Sequence, residues 1–284
     1  MGMLDYLKIT ILCENVVGNL FGIAEHGFSA YIETENDRYL FDTGSGLGIL
    51  YNAQVFKKDL RLIKKVFLSH GHYDHTGGLS FVLDVSSPLN VYGHPLIFEE
   101  KFKIVRGAEE EKREFIGIPQ RQLLLETKGA MFQFKRDFQE IAEGIYITGE
   151  IPRLTEFEKG DMKLFIRKSD SFVHDDILDD QALVLETKKG IVVLLGCAHA
   201  GIMNTLGYIT KKLGSDNIFA VIGGTHLGFL DEYQLDRSIH GLKEMDVKVL
   251  GVSHCTGIRV GQRLLVEFGD TCFYASVGSF FEIT

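Results

Sequence analysis

No stretch of this 284-residue chain is apolar for long enough to cross a bilayer. A spanning helix needs roughly 20 consecutive apolar residues, and the longest runs here, Ile191–Leu195 and Ile218–Ile222, have the length of strands. The opening MGMLDYLKIT carries an early acid and lacks the apolar core of a secretory signal. No membrane partner is expected, and the expected location is cytoplasmic. Cysteine is scarce, with Cys13, Cys197, Cys255 and Cys272 scattered without a pairing framework. Four reduced and mostly buried thiols follow. Basic charge is also short: 30 Lys and Arg stand against 39 Asp and Glu, a net charge of −9, with no basic stripe interleaved with aromatics. Nucleic-acid binding depends on neutralising phosphates, so neither DNA nor RNA is expected as a partner. A small anionic substrate stays open, because a metal ion supplies positive charge locally. No Pro-, Gly- or Ser-rich linker interrupts the chain, and a single domain over residues 1–284 is the expectation.

What is present is an ordinary globular composition, 45% hydrophobic, with regular patterning at both ends of the chain. Lys8–Cys13, Phe28–Glu33 and Arg38–Phe41 read as strands, the last two joined by a polar turn at Glu35-Asn36-Asp37. A loop, Asp42-Thr43-Gly44-Ser45-Gly46, leads into a helix over Leu47–Phe56. Leu62–Leu68 reads as a strand, Thr76–Leu83 as a short helix and Asn90–Gly93 as a strand. Residues 95–170 are irregular, carry the charged run Glu109-Glu110-Glu111-Lys112-Arg113, and read as an excursion from the core with one clear strand at Ile145–Thr148. Regularity then returns with a hairpin of Ala182–Thr187 and Ile191–Leu195, and with strands at Ile218–Ile222 and Val247–Val252. Helices follow the first and last of these, over Ile202–Leu213 and up to Phe268.

The last three of these strands each end in a short motif that contains histidine: Cys197-Ala198-His199, Gly223-Gly224-Thr225-His226 and Ser253-His254-Cys255. Strand ends gathered on one rim are where α/β proteins assemble sites. The densest motif is His70-Gly71-His72-Tyr73-Asp74-His75. Three imidazoles and a carboxylate this close would crowd positive charge if protonated, whereas neutral imidazole and carboxylate suit a divalent cation. In an extended segment His70 and His72 project to one side and can pinch one ion. Asp74 and His75 follow where the chain turns, facing a neighbouring position. Such an ion takes about four ligands, and His199 and His254 are the expected distant donors. Glycines after Thr76, Ala200 and Thr256 open three helices, whose N-termini would favour an anion near the ions. Thr256 and Gly257 are therefore candidate substrate-binding residues. His26, His94 and His240 read as ordinary residues, and Cys255 as a structural thiol.

The segment His70–His75 matches the His-x-His-x-Asp-His signature, and with Phe41-Asp42-Thr43-Gly44 and Ser253-His254 the chain resembles the metallo-β-lactamase superfamily over nearly its whole length. Its motifs around Cys197–Gly201, Gly223–Leu227 and Ser253–Gly257 more narrowly resemble the dihydropteroate-synthase-like or ribofuranosylaminobenzene phosphate synthase branch. The resemblance implies a four-layer αβ/βα sandwich of mixed α/β class. It also implies a zinc centre of one or two ions, with iron or manganese as substitutes. His70 and His72 would serve one ion and Asp74, His75 and His254 the other, with His199 added from its own motif. Two departures stand out. Cys197 occupies the place of the usual bridging Asp, and the stretch His174–Asp180 lacks the usual third-ligand pattern, leaving Cys197 and Asp180 as lesser candidate ligands. Asp42 is expected to orient a metal-bound imidazole, Asp74 to act on the nucleophile, and His226 to act either directly or through a hydrogen bond. The expected function is metal-assisted hydrolysis or transfer at an ester, phosphoester or pterin-like small molecule, with Phe98, Phe102 and Phe132 as stacking candidates. Alternatives on the same ligands are an iron redox protein and a non-catalytic metal-binding protein.

Overall fold

Two seven-stranded sheets stack face to face in the computed structural model, which describes residues 2–106 and 110–284. Met1 and Glu109 of the charged run lie outside the described residues. The first sheet runs Phe280–Ile283, Leu7–Cys13, Ser29–Thr34, Arg38–Phe41, Ile63–Phe67, Leu89–Gly93 and Ala130–Phe134 in spatial order. The second runs Cys272–Tyr274, Val249–Ser253, Ile218–Gly224, Gly190–Leu195, Leu183–Thr187, Ile145–Ile147 and Gln139–Ala142. Successive side chains of a strand point to opposite faces, and the strand Gly190–Leu195 shows the consequence. Val192 and Leu194 pack into the core between the sheets, while Val193 and Leu195 pack against the helices outside. Burial on both faces explains why this strand is a continuous apolar run. Helices Ile202–Leu213, Glu232–Glu244 and Gly257–Phe268 cover the second sheet, and Ile49–Val55 with Leu79–Ser86 cover the first. The result is the αβ/βα sandwich.

The expected helix over Thr76–Leu83 is two, Tyr73–Thr76 and Leu79–Ser86, separated at Gly77 and Gly78. These glycines have ordinary helical φ, so they do not supply a left-handed turn. They admit a close approach: a Cβ on Gly78 would lie 2.1 Å from the Thr43 carbonyl oxygen, and one on Gly77 2.5 Å from that of Ser45. The loop after Arg38–Phe41 is thus pressed onto the turn that carries Asp74 and His75.

The excursion over 95–170 is not one unit. Ala130–Phe134 returns to the first sheet beside Leu89–Gly93, and Gln139–Ala142 and Ile145–Ile147 join the second. What leaves the core is a four-stranded antiparallel sheet of Lys101–Arg106, Glu111–Phe115, Leu164–Lys168 and Ser171–His174. Every residue of Glu111–Phe115 is exposed, so no buried face imprints alternation on that part of the sequence.

Candidate metal centre

The histidine motifs meet because parallel strands of both sheets end on one rim. Four non-glycine residues at these ends take left-handed φ: Asp42 at 55°, Ala198 at 57°, His226 at 56° and His254 at 50°. Such conformations cost on the order of 1–3 kcal/mol each and persist where the surroundings over-determine them, commonly at functional sites.

Two groups of donors converge there. His70 Nε2 lies 3.0 Å from His72 Nδ1, and the His199 ring stands edge-on to both, with centroids 4.8 and 5.0 Å away. Beside them His75 Nε2 lies 3.2 Å from His254 Nε2. Asp74 Oδ2 is 3.3 Å from His254 Nε2 and 3.9 Å from His75 Nε2. Cys197 Sγ sits between the groups, 3.2 Å from His75 Nε2, and forms one compact set with His70 and His199 and another with His75 and His254. His72 Nε2 and His199 Nε2 are buried without a hydrogen-bond partner, which native interiors rarely tolerate. Facing ring nitrogens, a carboxylate and a thiol fit a zinc-class divalent cation.

Burial and the neighbouring imidazoles hold His70 and His199 well below the ordinary histidine pKa. Burial and the Lys101 charge push His72 down to about 3. These three rings are therefore neutral, the form that ligates. His75 differs: against the effect of burial, the Asp42 and Asp74 carboxylates raise it to about 9. The same two carboxylates favour a divalent cation at its Nε2. Burial alone would lift the Asp74 pKa, but His75 and the bonds from His254 and His26 hold it well below the usual carboxylate range.

Around the donors lies an orienting layer. Asp42, fully buried, accepts from the Ser69 amide at 2.7 Å and the Ser69 hydroxyl at 2.7 Å, and binds His75 Nδ1 at 2.7 Å. Ser69 Oγ in turn lies 2.9 Å from His70 Nδ1. Both rings are thereby turned with Nε2 toward the site, as expected for Asp42. The sequence reading missed Glu14 and Asn15, which follow the strand Leu7–Cys13. Glu14 Oε1 accepts the His254 amide at 2.6 Å, and Asn15 Oδ1 lies 3.0 Å from His254 Nδ1. Two polar residues directly after a buried strand were the only available signal. Also missed was the pair Lys101 and Asp179. Lys101 Nζ donates to Asp179 Oδ1 at 2.8 Å, and Asp179 Oδ2 accepts the Gly71 amide at 2.8 Å.

Other expectations need correction. His26 is not an ordinary residue, since its Nε2 lies 3.2 Å from Asp74 Oδ2 and its ring 5.1 Å from that of His254. Cys255, expected as a structural thiol, joins Cys197 and His226 in a further compact set of candidate donors. Asp180 points elsewhere, accepting the Ala200 amide at 2.8 Å, and it belongs to none of the donor sets among the described residues. Thr256 is fully buried with its hydroxyl 2.9 Å from that of Thr225, away from the cleft. The start of helix Ile202–Leu213 is already filled by Glu158, which accepts the Met203 and Asn204 amides at 2.8 Å each. A second anion has no place there. Phe98 packs on Phe132, and Phe102 on Phe115 and Phe172, all off the cleft.

The cleft above the donors has a volume of about 280 Å³ and is walled by His26, Tyr73, His226 and Phe229. The outlying sheet and the loop before Leu164 add Lys103, Glu114, Ile116, Asp161 and Lys163. The 95–170 region therefore does wall the site, through charged residues rather than aromatic ones.

The model of the metallo-beta-lactamase superfamily matches residues 22–213. The chain is 31% identical over 281 residues to a 7,8-dihydropterin-6-methyl-4-(beta-D-ribofuranosyl)-aminobenzene-5'-phosphate synthase of Methanocaldococcus jannaschii, covering 95% of this chain and 94% of that one. An uncharacterized protein of the same organism is 33% identical over 266 residues, covering 90% and 93%. Among solved structures, a metal-dependent hydrolase of the beta-lactamase superfamily superposes with a TM-score of 0.81 at 28% identity, covering 98% and 99% of the two chains. Zinc-bound PqqB from Methylobacterium extorquens shares the fold, with a TM-score of 0.56 at 11% identity over 97% and 100%. The chain belongs to the metallo-β-lactamase superfamily.

Proposed function

We propose that this chain is a metal-dependent hydrolase or transferase acting on a small anionic ester or phosphoester, with pterin-like phosphates in the substrate class. The observation that carries the reading is the convergence of His70, His72 and His199 beside Asp74, His75 and His254 under an open cleft. Structural zinc sites are closed, whereas catalytic ones keep a position open to substrate. Zinc-class ions held by these residues would make water nucleophilic near pH 7 and polarise the scissile carbonyl or phosphoryl group.

The residues of the chain supply the rest. Asp74 Oδ2, held by His26 and His254, would take the proton of an attacking water. His26 has a side chain 58% exposed and links that carboxylate to solvent. Lys103 and Lys163 line the cleft, and no ion pair among the described residues holds either. They give an anionic substrate its counter-charge in a protein whose net charge is −9. The relative from Methanocaldococcus jannaschii, named for a phosphate-bearing pterin compound, supports that substrate class.

Elemental analysis of the purified protein, followed by assay on a panel of esters, phosphodiesters and pterin phosphates, tests the reading. Chelation and His72→Ala should each abolish turnover, and added zinc should restore the chelated enzyme. Full activity in metal-free protein would sink the proposal.

A further inference from the structure

Cys197, His226 and Cys255 form a set of donors within 4.8 Å of one another, separate from the histidine and aspartate groups except for the shared Cys197. Each comes from the end of a different strand in three neighbouring parallel strands. Three features distinguish this set from a chance cluster. Both ring nitrogens of His226 are buried without a hydrogen-bond partner. The His226 backbone takes a left-handed φ of 56° and its amide donates to Cys255 Sγ at 3.2 Å, which holds the residue beside the thiol with a ring nitrogen within 4.8 Å of Sγ. Finally, all three residues line the cleft.

We infer that Cys197, His226 and Cys255 form an additional, thiolate-rich metal site for a thiophilic divalent cation such as zinc, cadmium or cobalt. The donor chemistry decides the class. Two soft thiolates and a borderline imidazole select zinc-like ions over magnesium or calcium. Two Cys and one His make a three-ligand set of the kind that leaves a fourth position open, and all three residues line the cleft from which a fourth ligand would come. A cation brings each thiol to its thiolate with release of one proton. It also gives the His226 ring the partner it otherwise lacks. Cys13 and Cys272 are buried elsewhere and belong to no such set among the described residues.

The test is a titration of chelated, full-length, reduced protein with cobalt and then with cadmium. The wild type should show a near-ultraviolet thiolate-to-cobalt band and bind one more equivalent of cadmium than Cys255→Ser. His226→Ala should lose that equivalent while keeping both thiols, and Cys272→Ser should match wild type. Equal stoichiometry and equal band intensity in wild type and Cys255→Ser would overturn the assignment. If the Ser variant does not fold, cadmium NMR of the wild type decides: a resonance in the two-sulfur region supports the site, and nitrogen- and oxygen-ligated resonances alone refute it.

Discussion

Replacing Lys101 by Met should destabilise the protein severely, although the residue lies in the outlying sheet. Its Nζ donates to Asp175 Oδ2 at 2.9 Å and Asp179 Oδ1 at 2.8 Å, and the three side chains are only 1%, 6% and 1% exposed. Removing one partner of such a group strands buried charge, at a cost of about 3–5 kcal/mol. In a protein of this size each kcal/mol lowers Tm by roughly 2–4 °C, so a fall of about 6–20 °C is expected by calorimetry. Burial works against the Lys101 ammonium, but the two carboxylates win and raise its pKa. A raised lysine contributes fully below its unfolded value and loses that contribution only as pH climbs through the folded one. The lysine's share is therefore unchanged between neutral and mildly alkaline pH. The effect should also reach the candidate metal centre, because Asp179 Oδ2 accepts the Gly71 amide between His70 and His72. The triple variant Lys101→Met, Asp175→Asn, Asp179→Asn removes the stranded charges and should recover much of the loss. A single variant within about 2 °C of wild type, where more than 6 °C is expected, would refute the reasoning. So would a triple variant no better than the single one.

Two further outcomes follow from the same geometry. Asp42→Asn replaces the acceptor at His75 Nδ1 and disturbs the orientation of that ring, so zinc affinity measured against a competing chelator should fall about 10–100-fold; an unchanged affinity would remove Asp42 from the site's support. Glu158→Ala uncaps the helix Ile202–Leu213 and should cost about 1–2 kcal/mol in urea unfolding. Burial raises the Glu158 carboxyl above its ordinary pKa, so its ionisation is less favourable in the folded state. Stability should therefore decline as pH rises from the unfolded to the folded value. Glu158→Gln should flatten that slope, and a slope that persists would count against this account.

The candidate donors could be read from the chain alone. His70–His75, His199 and His254 were legible because ligand chemistry restricts residue types and because each motif directly follows an apolar run. The strands of the sandwich were legible for a related reason: Gly190–Leu195, buried on both faces, is a short β-branched run bounded by turn residues, and its length rather than any period marks it as a strand. What surrounds the donors was not. Glu14, Asn15, His26, Lys101 and Asp179 act through partners 48 to 240 residues away, and nothing local to them announces those partners. The glycines at 71, 77 and 78 signal a need for space, but only the structure shows that backbone from Ile97, Thr43 and Ser45 fills it. The exposed strand Glu111–Phe115 left no periodicity to read, so the outlying sheet and the charged wall it gives the cleft were decided by tertiary packing. The same holds for Cys197, His226 and Cys255. Local sequence places each at a strand end, and only the parallel order of three strands brings their donor atoms together.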